Sequence, residues 1–260
     1  MPTEATAPER ATDLPLPRRI RGHLVHVYTA SGIFFAFLAA AELASAEPSA
    51  ARFFAWLAVT VVIDATDGFL ARAWRVKTTA PDIDGRTIDD LLDYLTFAFL
   101  PLLLVWRLGW VPGSGPGQLW GGLVFVAPAM LASLIGFART TAKEEDKGFF
   151  GGFPSYWNLA VFYAGLLLPW WGTAGNAALL LILAGLTVAP VRFVYPTLAP
   201  APWRTVILVG TYLWGAGLVA MLPFYPDHVP GWGVWLSLSY PAFYVALSIH
   251  LDLRDRGART

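Results

Sequence analysis

The sequence has no cysteine and little charge, and each shortage excludes a class of protein. Its 260 residues include no Cys, which excludes a disulfide framework, a thiolate metal site and a cysteine nucleophile. Only 14% of the residues are charged, whereas a soluble domain usually carries roughly a quarter. The 18 basic and 18 acidic residues balance. This neutrality removes the electrostatic basis for a nucleic-acid-binding protein, and we expect no nucleic-acid partner.

Apolar residues make up the rest of the chain. They account for 56% of the residues, and the mean hydropathy is +0.54. The 12 Trp and nine Tyr are typical of a protein with two water–lipid interfaces. The composition therefore indicates an integral membrane protein in contact with membrane lipids.

Apolar stretches long enough to cross a hydrocarbon core of roughly 30 Å recur along the chain. We predict an all-α integral membrane protein, a bundle of about eight transmembrane helices, at residues 24–43, 51–73, 87–106, 119–139, 155–171, 176–195, 205–225 and 232–251. Residues 1–22 are predicted to form a flexible or interfacial cytoplasmic leader, not a cleaved signal. Residues 23–253 would form the transmembrane domain and 254–260 a cytoplasmic tail.

The placement of basic residues predicts the orientation. If the N-terminus lies in the cytoplasm and eight helices alternate, the inner segments hold sixteen of the 18 basic residues. Only Arg52 and Arg107 then lie outside. Because cytoplasmic loops carry an excess of Lys and Arg, we predict an N-in/C-in topology.

Two pairs of aspartates interrupt the apolar helices. Asp64 and Asp67 are three positions apart near the end of the second predicted helix, and Asp89 and Asp93 are four apart near the start of the third. Residues with these spacings share one helix face, so each pair presents two neighbouring carboxylates. Ionisable residues in a membrane helix are costly and indicate function.

Carboxylates that face one another repel unless a cation lies between them. Oxygen ligands alone suit a hard divalent ion, so we predict Mn²⁺ or Mg²⁺. Such ions bridge phosphate oxygens in phosphoryl displacement. Gly68 and Ala71 leave room beside the backbone. The pattern therefore predicts a metal site next to a bound diphosphate or nucleotide.

Aspartates near helix ends also have two other interpretations. A single Asp near a helix end is usually a helix cap or a solvated charge, and we assign Asp82, Asp84 and Asp90 to that class. A cation-coupled transporter also places Asp residues within helices. It would hold them near the membrane midplane and show internal repeats, whereas these lie at helix ends and no repeat is found.

The sequence around these aspartates resembles the CDP-alcohol phosphotransferases. The motif that carries the resemblance reads Asp64-x2-Asp67-Gly68-x2-Ala71-Arg72-x12-Gly85-x3-Asp89-x3-Asp93. The family consists of membrane enzymes that transfer a phosphatidyl or similar group from a CDP-linked donor to an alcohol, with release of CMP. The gap before Gly85 is longer than in most of the family and is similar to that of bacterial members that join CDP-diacylglycerol to free choline.

The resemblance implies a role for each matching residue. Asp64, Asp67 and Asp89 would be metal ligands, and Asp93 would complete the metal site and act as the catalytic base. The residues that would bind CDP are Gly68, Ala71, Arg72, Gly85 and Thr29. Thr29 and its neighbour His26 could equally hydrogen-bond an adjacent helix. The resemblance also implies a homodimer, a bacterial inner membrane and an active site that faces the cytoplasm.

Choline would need an unusual site, because its quaternary ammonium has no hydrogen-bond donor. Aromatic faces with a carboxylate nearby meet that need. The candidates are Tyr94, Glu144, Phe153, Tyr156 and Trp157. The aromatic members of this set would also suit a membrane interface.

Other acceptors remain open within the same family. A serine acceptor, as in phosphatidylserine synthases, is one alternative. A phosphorylated acceptor, as in phosphatidylglycerophosphate synthases, would require a cluster of Arg and Lys. The basic residues other than Arg72 are dispersed among loops, so we rank a phosphorylated acceptor lower.

Overall fold

The computed structural model describes residues 15–118, 120–139, 143–144 and 148–257, and most of these residues are helical. The predicted all-α class is confirmed. The α-helices are α1 (Leu16–Ala30), α2 (Gly32–Ala44), α3 (Ala50–Ala73), α4 (Val76–Thr79), α5 (Gly85–Asp93), α6 (Leu100–Arg107), α7 (Leu123–Ala138), α8 (Trp157–Val188), α9 (Trp203–Met221) and α10 (Gly231–Gly257). A π-helix, Tyr94–Phe99, joins α5 to α6, and a 3₁₀-helix, Leu222–Phe224, follows α9.

Five helical segments of the described chain are long and apolar enough to cross a membrane. They are Leu16–Ala44, Ala50–Ala73, Trp157–Val188, Trp203–Phe224 and Gly231–Gly257, and Leu123–Ala138 is a shorter apolar helix. The eight predicted segments are all largely helical. However, two of them share α8, and the third runs through α5, the π-helix and α6. The count of eight spans and the orientation therefore stay predictions.

Helix α8 is a helical hairpin, because the chain reverses at Gly172. This residue has φ 67° and ψ −174°, far from helical values and readily adopted only by glycine. The amide of Phe153, just before α8, donates a 2.9 Å hydrogen bond to the carbonyl of Leu186, near the other end. A straight helix of 32 residues would separate its ends by roughly 48 Å. The two arms correspond to the separately predicted segments 155–171 and 176–195.

The leader and the tail are more helical than predicted. Helix α1 begins at Leu16, inside the predicted leader 1–22, and a proline in its first turn favours a helix start there. Residues 1–14 lie outside the described chain. Helix α10 likewise continues through Gly257 into the predicted tail, of which residues 258–260 are not described.

A small antiparallel sheet, absent from the prediction, lies next to α10. Its strands are β1 (Lys143–Glu144), β2 (Phe149–Gly151) and β3 (Arg192–Val194), paired in that order. The Arg192 guanidinium lies 4.8 Å from the ring centroid of Phe149 and pairs with Asp252 at 2.6 Å and Asp255 at 2.8 Å. Burial opposes its charge, but the hydrogen bonds that the guanidinium donates to these carboxylates outweigh burial and raise the pKa of Arg192. This cluster fastens the sheet to α10.

The end of the bundle opposite the aspartates holds the two basic residues that the topology predicts to be outside. Arg52, at the start of α3, pairs with Glu42 of α2 at 2.9 Å. Arg107, at the end of α6, donates hydrogen bonds to the carbonyls of Leu43 at 3.1 Å and Ser45 at 3.2 Å. Asp64 lies near the other end of α3.

Candidate active site

Helices α3 and α5 bring three of the four predicted carboxylates together. Asp64 comes from α3, and Asp89 and Asp93 come from α5. One carboxylate oxygen of each lies within 4.8 Å of the others, and all three residues are partly buried. We call these three residues the carboxylate triad. Their oxygens offer a hard donor set of the kind that Mg²⁺ and Mn²⁺ prefer, so the residues fit the predicted metal.

The fourth carboxylate, that of Asp67, points to a different partner. It is buried and accepts a 2.9 Å hydrogen bond from the hydroxyl of Thr29 on α1. Thr29 thus makes an interhelical hydrogen bond, which is one of the two roles predicted for it. The role of Asp67 as a metal ligand stays a prediction.

A small cavity joins the triad to this pair. It has a volume of about 20 Å³, and its lining includes Asp64, Asp67, Asp89, Asp93, Thr29, Thr60 and Thr96. A cavity needs roughly 10–15 Å³ to hold one water molecule. The cavity therefore has room for a single small ion or water, with the four carboxylates among its lining residues.

The start of α5 is fixed by Asp84, one of the residues assigned to helix capping. Its side chain accepts hydrogen bonds from the Thr87 hydroxyl at 2.7 Å and from the amides of Thr87 and Arg86. The Thr87 hydrogen bonds are the main reason that the pKa of Asp84 is lowered. A side-chain cap at this position sets where the helix begins. It thereby fixes the start of the helix that carries Asp89 and Asp93.

The other two aspartates assigned to structural roles also have ordinary partners. Asp90 pairs with Arg86 one helical turn away, at 3.5 Å. Asp82 pairs with His23 at 3.2 Å. This hydrogen bond lowers the pKa of Asp82. Both side chains are exposed to solvent.

Gly85 permits a close contact between α1 and α5. A Cβ atom at this position would lie 2.7 Å from Cε1 of His26, closer than real Cβ contacts allow. His26 itself is buried, and its Nε2 has no hydrogen-bond partner within the described part of the chain. The absence of a side chain at Gly85 is therefore already required by helix packing, and its contact with CDP stays a prediction.

The remaining predicted CDP-binding residues lie along α3. A Cβ atom on Gly68 would lie 3.4 Å from a guanidinium nitrogen of Arg72, so Gly68 leaves space for that side chain. Arg72 is exposed, and its charge acts on Asp67. Ala71 packs against a small buried cluster that includes Val25 of α1.

The predicted choline-binding residues have different surroundings, and their role stays a prediction. Trp157 is fully buried and donates a 2.5 Å hydrogen bond to Ser133, which leaves no surface for a ligand. Phe153 packs against Trp157, with ring centroids 5.4 Å apart. The Tyr94 hydroxyl points to the carbonyl of Met130, at 3.4 Å. The backbone of Glu144 lies in β1, and its side chain is outside the described residues.

Tyr156 contacts the π-helix that follows the triad residue Asp93. It directly precedes α8, and its ring contacts that of Phe97, with centroids 6.0 Å apart. Its side chain is 39% exposed. Desolvation is the main reason that the pKa of the Tyr156 phenol is raised, and the charges of Asp64 and Asp93 add to it.

Sequence reasoning missed two tyrosines near Tyr156. Tyr244, on α10, and Tyr195, just after β3, add to the rise in the pKa of the Tyr156 phenol. Their sequence positions carry no motif, and both are far along the chain from the aspartates. Only the packing of α10 and the sheet brings them to this place.

The apolar helices and the carboxylate triad define a class of protein, the helical membrane proteins with an acidic site suited to a divalent cation. No protein-family model matches the chain. Comparison with curated relatives identifies a more specific family. The chain is 30% identical to a phosphatidylcholine synthase of Pseudomonas aeruginosa, over 89% of this chain and 92% of the relative.

Two further relatives carry the same name. The phosphatidylcholine synthase of Rhizobium johnstonii is 32% identical, over 90% of this chain and 91% of the relative. That of Legionella pneumophila is 34% identical, over 87% of this chain and 86% of the relative. The chain therefore belongs to the phosphatidylcholine synthase family, in agreement with the resemblance to CDP-alcohol phosphotransferases.

Proposed function

We propose that the protein transfers the phosphatidyl group of CDP-diacylglycerol to choline and releases CMP. The observation that carries this proposal is the carboxylate triad, which lies within the motif that resembles CDP-alcohol phosphotransferases. The names of the relatives support choline as the acceptor.

In this reaction the choline oxygen forms a bond with the phosphatidyl phosphorus while the bond from phosphorus to the CMP oxygen breaks. The hydroxyl proton goes to the carboxylate of Asp93, the proposed general base, because choline's hydroxyl is a poor nucleophile at neutral pH. Asp64, Asp89 and Asp93 would hold the metal, and Asp67 is the fourth proposed ligand. A bound Mn²⁺ or Mg²⁺ would supply positive charge that neutralises the diphosphate.

The proposed CDP-binding surface runs along α3 and the start of α5. Arg72 is exposed, and its charge acts on Asp67. It is therefore the cation that we propose binds a phosphate of CDP. Gly68 and Ala71 line the surface with little side-chain volume, and Gly85 lies opposite on α5. Thr29 contributes by orienting Asp67, the carboxylate to which it is hydrogen-bonded.

The proposed location is a bacterial inner membrane, with the N-terminus, the C-terminus and the active site in the cytoplasm. Arg52 and Arg107 support this orientation, because both lie at the end of the bundle away from the triad. We also retain the homodimer that the family resemblance implies.

An assay of CMP release tests the proposal. Purified protein in lipid vesicles receives CDP-diacylglycerol with choline, serine, glycerol 3-phosphate or no acceptor. We expect choline to give the fastest release. Faster release with serine or glycerol 3-phosphate would keep the reaction class and replace the acceptor.

A pair of variants tests the role of Asp93. Asp93→Asn keeps the size of the side chain but removes the proton acceptor, so turnover should fall roughly 10²–10⁴-fold. Asp90→Asn is the matched control, since Asp90 lies on the same helix and pairs with Arg86. Near-normal turnover in Asp93→Asn would remove the general-base assignment.

A further inference from the structure

We propose that Thr60 and Thr96 hold a water molecule at the buried end of the small cavity, and that this water is a ligand of the metal. This inference rests on the proposed function, because the metal belongs to the proposed reaction. It makes Thr60 and Thr96 positioning residues for the metal, although neither is part of the sequence motif.

The first support is that both threonines line the same cavity as the carboxylate triad. They are 6% and 4% exposed, so both are buried. Thr60 lies on α3, four positions before Asp64, and Thr96 lies three positions after Asp93 in the π-helix, an element often found at functional sites. Each threonine therefore lies about one helical turn from a triad residue, on the side towards the middle of the bundle.

The second support is the state of the two hydroxyl groups. A threonine hydroxyl has one hydrogen to donate and two lone pairs that accept. The Thr60 hydroxyl donates its hydrogen to the carbonyl of Leu57, at 2.8 Å. The Thr96 hydroxyl donates to the carbonyl of Leu92, also at 2.8 Å. Because both hydrogens are used, each threonine oxygen offers the cavity only lone pairs.

A water molecule bound to a metal matches these acceptors. Ionised carboxylates also offer only lone pairs, so the polar side chains that line the cavity suit a cation or a group that donates hydrogen bonds. A water that binds the metal through its oxygen still has two hydrogens, one for each threonine. Magnesium held by carboxylates usually keeps several of its water ligands.

The third support is distance. A bond from Mg²⁺ to oxygen is about 2.1 Å and a hydrogen bond from water to a hydroxyl oxygen about 2.8 Å, so the threonine oxygen would lie about 4–5 Å from the ion. One helical turn is about 5.4 Å, which suits contact through one water and is too long for a direct bond. The cavity, at about 20 Å³, has room for that water. The triad is only partly buried, so the ion would lie on its solvent side.

A purely structural role for the threonines makes a different prediction. Buried threonines in helices often satisfy their own hydroxyl with a carbonyl of the preceding turn, and need no other partner. Thr60→Val and Thr96→Val keep nearly the same shape, so stability without metal should change little under either role. Only the water site predicts that these variants bind the metal more weakly.

The experiment titrates metal-free protein in lipid vesicles with Mn²⁺ alone. The electron paramagnetic resonance signal of free Mn²⁺ gives both the Kd and the number of sites, so a folding loss is separated from a loss of affinity. The variants are Thr60→Val, Thr96→Val and the corresponding Ser variants, and the Tm of each is measured without metal.

Thr187→Val is the matched control. Thr187 is 2% exposed and donates a 2.8 Å hydrogen bond to the carbonyl of Leu183, as the two proposed residues do to their own helices. It lies on α8, whereas the residues that line the cavity come from α1, α2, α3, α5 and the π-helix.

We expect both Val variants to raise the Kd for Mn²⁺ roughly 10- to 100-fold, with the Tm of the metal-free protein nearly unchanged. The Ser variants and Thr187→Val should resemble the unmodified protein. An unchanged Kd in both Val variants, whatever the number of sites, or equal losses in Ser and Val variants, would overturn the inference while the proposed function stands. If the unmodified protein bound no Mn²⁺, the proposed metal would fail and the inference with it, whereas choline transfer is tested separately by CMP release.

Discussion

The hydroxyl of Thr29 on α1 donates a 2.9 Å hydrogen bond to the carboxylate of Asp67 on α3. Both residues are buried, so this bond satisfies a carboxylate that is shielded from water. It also joins the helix that leads into the membrane to the helix that carries half of the acidic motif. Asp67 is therefore oriented by α1, whereas Asp64, one turn earlier, is oriented towards α5.

Thr29→Val should destabilise the protein and weaken its binding of the nucleotide. The substitution keeps the shape but removes the donor, and an unsatisfied buried carboxylate costs about 1–3 kcal/mol or more. Thermal unfolding should show a lower Tm, and the KM for CDP-diacylglycerol should rise. Thr29→Ser keeps the hydroxyl and should restore both values. Equal losses in the Ser and Val variants would show that the methyl group, not the hydrogen bond, is what matters.

Divalent cations should stabilise the protein as well as activate it. Binding to the folded state alone raises stability in proportion to the logarithm of cation concentration. We expect Mn²⁺ or Mg²⁺ to raise the Tm of the EDTA-treated protein and EDTA to abolish CMP release. Asp89→Asn should lose the Tm shift, and Asp90→Asn should keep it. Full activity after thorough chelation would refute the metal assignment.

Single cysteines can report the orientation, because the chain has none of its own. A cysteine at Arg254, exposed near the end of α10, should react with an impermeant thiol reagent only after the membrane is opened. One at Gln118, exposed before α7, should react in intact cells. Reversed labelling would place the carboxylate triad on the other side of the membrane.

Arg192→Ala should loosen the sheet from α10. It removes ion pairs to Asp252 and Asp255, and the Asp252 side chain is only 8% exposed. Breaking a buried ion pair typically costs about 3–5 kcal/mol, but Arg256 still pairs with Asp252 at 2.8 Å and should reduce the loss. We expect a lower Tm, since the sheet loses its ion pairs to α10. Arg204→Ala, on an exposed position of α9, is the control and should leave the Tm unchanged.

Much of the local structure follows from the sequence. The helices are predictable because a backbone in hydrocarbon must satisfy its hydrogen bonds internally, so long apolar runs have few other conformations. The same-face pairing of Asp89 with Asp93 follows from helical periodicity alone. The capping role of Asp84 is readable too, because a carboxylate just before a helix meets the free amides of its first turn.

Tertiary packing decided the rest. Helical periodicity places Asp64 and Asp67 on the same face of α3. It does not predict that Asp64 meets α5 and that Asp67 meets Thr29. Composition predicts both Trp157 and Tyr156 to be interface aromatics. In the structure Trp157, the first residue of α8, is buried, whereas the preceding residue, Tyr156, is partly exposed beside the triad. Hydrogen bonds from Val194 to Ser248 and from Tyr244 to the carbonyl of Val194 join β3 to α10, and no sequence pattern marks them. A linear pattern specifies which residues share a face of one helix, whereas which faces meet depends on packing between segments distant in the chain.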